Sequence, residues 1–205
     1  MMKKLLTTIS LALTLCLSLT TVFAAPSINK NGAVKKDSIL INGEKVDANT
    51  TAAFDSKKET YSAAGVSDET IDVIEKVNAN PSQLASLIKG VDLSGYSLLT
   101  EFQDLSVYVN GELKQKVKNV TLTWKVPNLV KTAKNVKVLH YSTERNTWEI
   151  LTPKSVDFDN KTITQEFKDL SPVAVIYQAG DANANKNGTK ANSTKTGDST
   201  NVMPF

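Results

Sequence analysis

The chain is poor in the side chains that do chemistry. One cysteine and one histidine occur in 205 residues, and 6% of the residues are aromatic. Cys16 lies inside the N-terminal apolar run, so a chain that loses this run has no disulfide and no thiol nucleophile. A lone His140 excludes a Cys/His zinc site on inventory alone. Nucleophilic catalysis lacks its signature too. No G-x-S-x-G elbow occurs, and a triad needs an oriented carboxylate and an oxyanion hole besides a histidine. His140 is expected to be scaffold or to face solvent.

Charge of one sign is also scarce. The formal net charge is +3, and removal of Lys3 and Lys4 with the N-terminal run leaves 3 − 2 = +1. A near-neutral chain lacks the basic footprint of a nucleic-acid binder. Two carboxylate pairs come close enough in sequence for acid–base work, Asp68-Glu69 and Asp157-Asp159. The first reads as the acidic first turn of a helix. The second flanks Phe158 beside a turn, where it reads as turn chemistry and lacks the Gly and Glu of a calcium loop. No enzymatic activity, no cofactor and no metal site is expected.

What is present begins with a leader. Residues 1–24 carry Lys3 and Lys4, then a mostly apolar stretch from Leu5 to Leu19, then Val22-Phe23-Ala24. This is the three-part pattern of a secretory signal peptide, cleaved after Ala24. The apolar run is too short and too rich in hydroxyls to span a bilayer, so no membrane span is expected in the mature chain. Leu15 before Cys16 is too bulky for a lipidation signal.

The rest divides by pattern. Residues 25–64 read as a polar N-terminal segment, extended or disordered up to Lys36. A short strand or hairpin is expected at Ser38–Val46, marked by Asn42-Gly43. A loop follows from Asp47 to Ala64, with a little strand near Phe54. Residues 65–97 predict two short helices. Ser67 caps the first, whose face is Ile71, Ile74 and Val77. Asn80 caps the second, with Pro81 at its first position, Gln83 three residues after the cap and Gly90 as its stop. From residue 98 the period changes to two. Short β-prone runs follow at Leu105–Asn110, Leu113–Val117, Val120–Val126, Val136–Tyr141, Trp148–Leu151, Val156–Phe158, Ile163–Phe167 and Val173–Tyr177. The stretch from Val136 to Tyr177 reads as a meandering antiparallel sheet with one wet and one dry face. Residues 98–178 thus predict an immunoglobulin-like antiparallel β-sandwich, with the helical pair as a small N-terminal annex. A barrel is the alternative. Trp124 and Trp148 are expected between the two sheets. Residues 179–205 hold small polar residues and read as a linker.

The runs Val138-Leu139-His140-Tyr141, Trp148-Glu149-Ile150-Leu151 and Phe167-Lys168-Asp169-Leu170-Ser171-Pro172-Val173-Ala174-Val175 resemble the β-sandwich modules of secreted and cell-surface proteins of Gram-positive bacteria. The resemblance covers about a third of the chain. It implies a non-catalytic structural or adhesive module, secreted and wall-associated, that meets a cell-wall polymer or an extracellular polysaccharide or protein. Near the end, Ser193-Thr194-Lys195-Thr196-Gly197-Asp198 resembles a sortase sorting signal of the Leu-Pro-x-Thr-Gly type. In that resemblance the chain is cut after Thr196, before Gly197. Thr194 stands where the family has proline, and the sequence reaches Phe205 without the family's apolar helix and basic tail. The expectation is a chain truncated before its anchor, or one whose anchor is lost.

Carbohydrate binding is the alternative function. Sugars stack on exposed coplanar aromatics, and Tyr108, Tyr141, Trp148 and Tyr177 are the candidates, Tyr141 and Trp148 foremost. The reading requires their faces in solvent. Burial of Trp124, Tyr141 and Trp148 would remove its main support.

Overall fold

Twelve short strands and three helices carry the described part of the chain, residues 25–114 and 116–179 of a computed structural model. The strands are β1 (Leu40–Ile41), β2 (Glu44–Lys45), β3 (Thr50–Asp55), β4 (Tyr96–Leu98), β5 (Gln103–Val109), β6 (Glu112–Lys114), β7 (Lys118–Lys125), β8 (Ala133–Ser142), β9 (Thr147–Leu151), β10 (Ser155–Asp157), β11 (Thr162–Asp169) and β12 (Pro172–Ala179). The helices are α1 (Lys58–Ala63), α2 (Asp68–Ala79) and α3 (Leu84–Leu87). The protein is mainly β. One sheet runs β10-β11-β7-β1-β2. The other runs β3-β5-β12-β8-β9, with β4 added to β12 and β6 to β5. Every pairing between named strands is antiparallel.

The turn chemistry sets the hairpins. Asn42-Gly43 and Asn110-Gly111 both place two successive residues at positive φ, as a type I′ turn requires, and they join β1 to β2 and β5 to β6. Alternation then sorts the side chains. Leu105 and Val107 of β5, Val120, Leu122 and Trp124 of β7, Val138 of β8, Ile163 and Phe167 of β11, and Val173 and Val175 of β12 form one apolar cluster drawn from both sheets. Trp124 is fully buried there, against Phe54 and Phe167.

The seven-stranded sheet is covered on its other face as well. Phe102, Leu139, Tyr141, Ala174 and Ile176 join Tyr61 of α1, Ile71, Ile74 and Val77 of α2, and Leu84 of α3 in a second cluster. The expected face of α2 is thus the buried one, and Ser67 Oγ accepts from Thr70 N at its start. The second predicted helix is shorter than its signals suggest. A 3-10 turn over Pro81–Gln83 leads into the single turn of α3, and the Asn80 side chain accepts from Ser82 Oγ instead of capping the backbone.

Several expectations need correction. Val136–Tyr177 is not one meandering sheet. Strands β8, β9 and β12 belong to the seven-stranded sheet, while β10 and β11 cross to the other. Trp148 does not lie between the sheets. It pairs with Tyr141 across β8 and β9, and that pair faces the helices. Residues 47–64 contain β3, six residues registered on β5, and α1, whose Tyr61 is buried. Finally, the segment after Ala24 is a fitted strap. Asn29 bridges to Thr100 and Val34 to Trp124, and buried Asn31 accepts from Trp124 Nε1 at 3.0 Å. Gly32 permits this path, because a Cβ there would lie 2.7 Å from Lys125 Cβ. Among the described residues no helix is long and apolar enough to cross a membrane.

Candidate functional site

Thr196 and Gly197 of the sorting-signal reading lie outside the described residues, as do the leader and the tail beyond Ala179. The sugar-stacking pair can be placed. Tyr141 is 7% exposed and packs edge-on to Trp148 at 5.1 Å between ring centres. The half-buried Trp148 in turn packs against Phe102 at 5.2 Å. Tyr177 is buried and Trp124 fully so. A stacking platform needs open ring faces, and these rings are spent on packing, Tyr141 and Trp148 in the cluster beneath the helices and Trp124 and Tyr177 in the one between the sheets. Tyr141 and Trp148 therefore do not form the exposed pair that sugar stacking requires. Asp157 sits in its turn, where Oδ1 accepts from the backbone N–H of Asp159 and Asn160 and Oδ2 from the Asn160 amide. The Asn160 side chain, with the backbone N–H bonds, holds its pKa below the ordinary value.

Polar chemistry concentrates at one end of the seven-stranded sheet, in two clusters. The first lies on the inner face. His140 follows Val136 and Val138 in alternation, so its ring enters the space between the sheets and packs on Phe167. Its Nε2 is 2.8 Å from Ser171 Oγ, and Ser171 is fully buried with its hydroxyl also against the Tyr141 carbonyl. Its Nδ1 lies 3.5 Å from Glu149 Oε2, a long approach that makes no regular hydrogen bond. Beside it, Asp169 accepts from Ser142 Oγ at 2.9 Å and Arg145 Nη2 at 3.0 Å, and Arg145 also grips Glu149. Burial holds His140 below its ordinary pKa, and the nearby Asp169 and Glu149 only partly offset this. Ser171, His140 and Glu149 have the order of a triad but not its setting. The serine meets no solvent and no substrate space.

The second cluster lies on the outer face. Asp104 alternates outward from Leu105, and it is fully buried beneath α1. Ser106 Oγ donates to Asp104 Oδ2 at 2.6 Å, while Oδ1 has no hydrogen-bond partner. Burial raises the carboxyl pKa to about 6, and the Ser106 hydrogen bond restrains the rise. Asp55, opposite on β3, pushes it up further. Tyr61 of α1, whose hydroxyl donates to the Phe102 carbonyl, is pushed upward by burial and by Asp104. Asp104 and Ser106 line a cavity of about 130 Å³. Its other walls are α1, the segment after β6, and the turns at Thr143-Glu144 and Asp169-Leu170. Among the described residues no group of three or more His, Cys, Asp or Glu is placed to hold a metal ion.

Sequence reasoning missed this cavity. Asp104 stands at the start of an ordinary alternating strand, and its wall α1 carries no capping side chain and one anchoring aromatic. The one available signal was Gly65, which ends α1 at positive φ. Comparison with protein-family models, with curated proteins and with solved structures finds no match for this chain.

Proposed function

We propose that this chain is a secreted, wall-associated, non-catalytic module with a structural or adhesive role, folded as an elaborated immunoglobulin-like β-sandwich with a small helical layer. The sandwich reading rests on the core shared by both sheets. The secretion reading rests on the three-part leader. The observation that carries the non-catalytic role is the placement of His140. The only histidine of the chain is sealed between the sheets with its serine neighbour, where it ties the ends of β8 and β12 together. Two experiments test this. Expressed from its full coding sequence in a Gram-positive host, the protein is expected in the medium or wall fraction with Ala25 at its N-terminus. Retention in the cell with the leader intact overturns the secretion reading. A fluorophosphonate probe is expected to leave Ser171 unlabelled, and stoichiometric labelling there overturns the non-catalytic one.

A further inference from the structure

Strand β3 is a free edge of the seven-stranded sheet. It pairs with β5 on one side, and among the described residues no strand pairs with the other. The register shows which backbone groups are unused. Asn110 N donates to the Asn49 carbonyl at 3.1 Å, and Thr50 lies opposite Val109. Backbone groups alternate along an antiparallel strand, so those of Thr51, Ala53 and Asp55 turn to β5. Those of Ala52 and Phe54 turn outward with the Thr50 carbonyl, where they meet no backbone partner among the described residues. The space beside them is open. A groove of about 360 Å³ has residues 51–54 on one side and the strap at residues 31–34, with Ile39, on the other. Folded proteins guard long edges with a charge, a proline or a bulge. The edge strands β2 and β10 are two and three residues long, and β9 carries Glu149 at its centre. Strand β3 is six residues long, regular in register, and its one charge, Asp55, stands at its last position. Its flanks carry opposite charges. Exposed Asp47 precedes it, and exposed Lys57 follows it with only a 3.9 Å contact to Asp55.

We propose that two copies of this chain join along β3 about a two-fold axis at Ala52, making one antiparallel sheet across both. Ala52 then exchanges N–H···O bonds with its own counterpart, and Phe54 N donates to the Thr50 carbonyl of the second copy, in both directions. The axis sets Asp47 against the second copy's Lys57, Asn49 against its Asp55 and Thr50 against its Phe54, so no like charges meet. An axis at Ala53 would set Asp47 against Glu59, so charge selects the register as well as the partner. The two flanks of β3 complement each other, and a strand that meets itself reversed brings them together. Ala52 and Phe54 also pack against the core between the sheets, so the second copy continues that apolar row and closes the groove. A pair of six-residue strands buries less than the roughly 1,200–2,000 Å² of a standard interface, so the dimer is weak, in the micromolar to millimolar range.

The test is sedimentation equilibrium of the mature protein from micromolar to millimolar concentration. The average mass is expected to rise toward that of a dimer and stop there, with nitrogen-15 amide shifts at Ala52 and Phe54 following the same curve. Ala52→Pro removes an N–H that β5 does not use, a place where an edge strand accepts proline, and it should abolish the dimer. Should that variant fail to fold, two substitutions at exposed positions carry the decision. Lys57→Glu sets an acid against Asp47 and should weaken the dimer by about fivefold. Asn49→Lys offers Asp55 a cation and should strengthen it by about threefold. The proposal is overturned by a chain that stays monomeric at millimolar concentration, which leaves the edge to an extended segment of another protein. It is equally overturned by association that continues past the dimer, or by a dimer that neither charge variant changes.

Discussion

On the inner face of the seven-stranded sheet, Asp169 receives Ser142 and Arg145, Arg145 also donates to Glu149, and His140 meets Ser171. On the outer face of the same sheet, Asp104 receives Ser106 and nothing else. Both acids are nearly or fully buried. The difference lies in what each burial accomplishes. The inner cluster joins the β8–β9 turn to the β11–β12 turn, so its hydrogen bonds replace contacts that a disulfide or a larger core would supply. The outer one joins nothing. A buried carboxylate with an unused oxygen lowers stability. The inner acid is thus cross-braced between two turns, and the outer one is held only within its own strand.

The sharpest way to break this comparison is to remove each acid in turn. Asp169→Ala should destabilise the fold by about 3 kcal/mol, the lower end for a broken buried pair because Arg145 keeps a route to water. Asp104→Asn should do the reverse. Its carboxyl is raised from 3.8 to about 6, and two pKa units represent roughly 3 kcal/mol, so removal of the charge should stabilise the protein by about 2 kcal/mol at neutral pH. Urea unfolding of both variants at equal pH reads the two signs. Destabilisation in both would mean that Asp104 is structural too.

The same pair differs in its response to pH. Asp104 is raised, so the native state holds its proton more tightly than the unfolded chain does. Its contribution is favourable at low pH and is lost as pH rises from about 4 to about 6. His140 is lowered, so the unfolded chain binds its proton first. Its contribution is intact above the ordinary histidine value of 6.5 and is lost as pH falls below it. The groups facing Asp104 are Ser106, Asp55 and Tyr61, while those facing His140 are Ser171, Glu149, Asp169 and Arg145. In the native protein the two slopes oppose each other across the weakly acidic range. Asp104→Asn should leave the histidine slope exposed, so its melting temperature falls on acidification. A melting temperature that still rises between pH 6 and 4 in that variant would assign the acid response to another carboxyl.

These clusters also mark the limits of reading the sequence. The strands from Gln103 to Ala179 were legible because Val120-Leu122-Trp124 and Ile163-Phe167 alternate cleanly, and Asn110-Gly111 announces its turn. The helix α2 was legible from Ser67 and the Ile71, Ile74, Val77 spacing. Which face each strand turned inward was harder, because the seven-stranded sheet is covered on both sides. In Val138-Leu139-His140-Tyr141, consecutive residues are all buried, so the alternation that would have placed His140 inside and Tyr141 under the helices was flattened. Strand β3 was hidden by composition. Thr50-Thr51-Ala52-Ala53 is small and polar, and β5 alone organises it. The strap at Asn29–Val34 has no local signal at all, since its partners Gln103 and Trp124 lie far along the chain. The cavity at Asp104 combines these losses. It needs α1, the segment after β6 and the Asp169-Leu170 turn to meet, and none of these announces the others.

The smallest expected effect probes how the outer acid is held. Ser106→Ala removes the only hydrogen bond that the Asp104 carboxylate accepts among the described residues, while leaving the cavity and the charge in place. Because that bond lowers the carboxyl pKa, its loss should raise the value further, by about one unit, as expected for a hydrogen bond to a charged group worth roughly 1.5 kcal/mol. Carbon-13 titration of the Asp104 carboxyl measures this directly. An unchanged Asp104 value in that variant would mean that Ser106 is not what restrains the acid. Burial and the facing Asp55 would then set its value, and the contrast with an Asp169 braced by Ser142 and Arg145 would be complete.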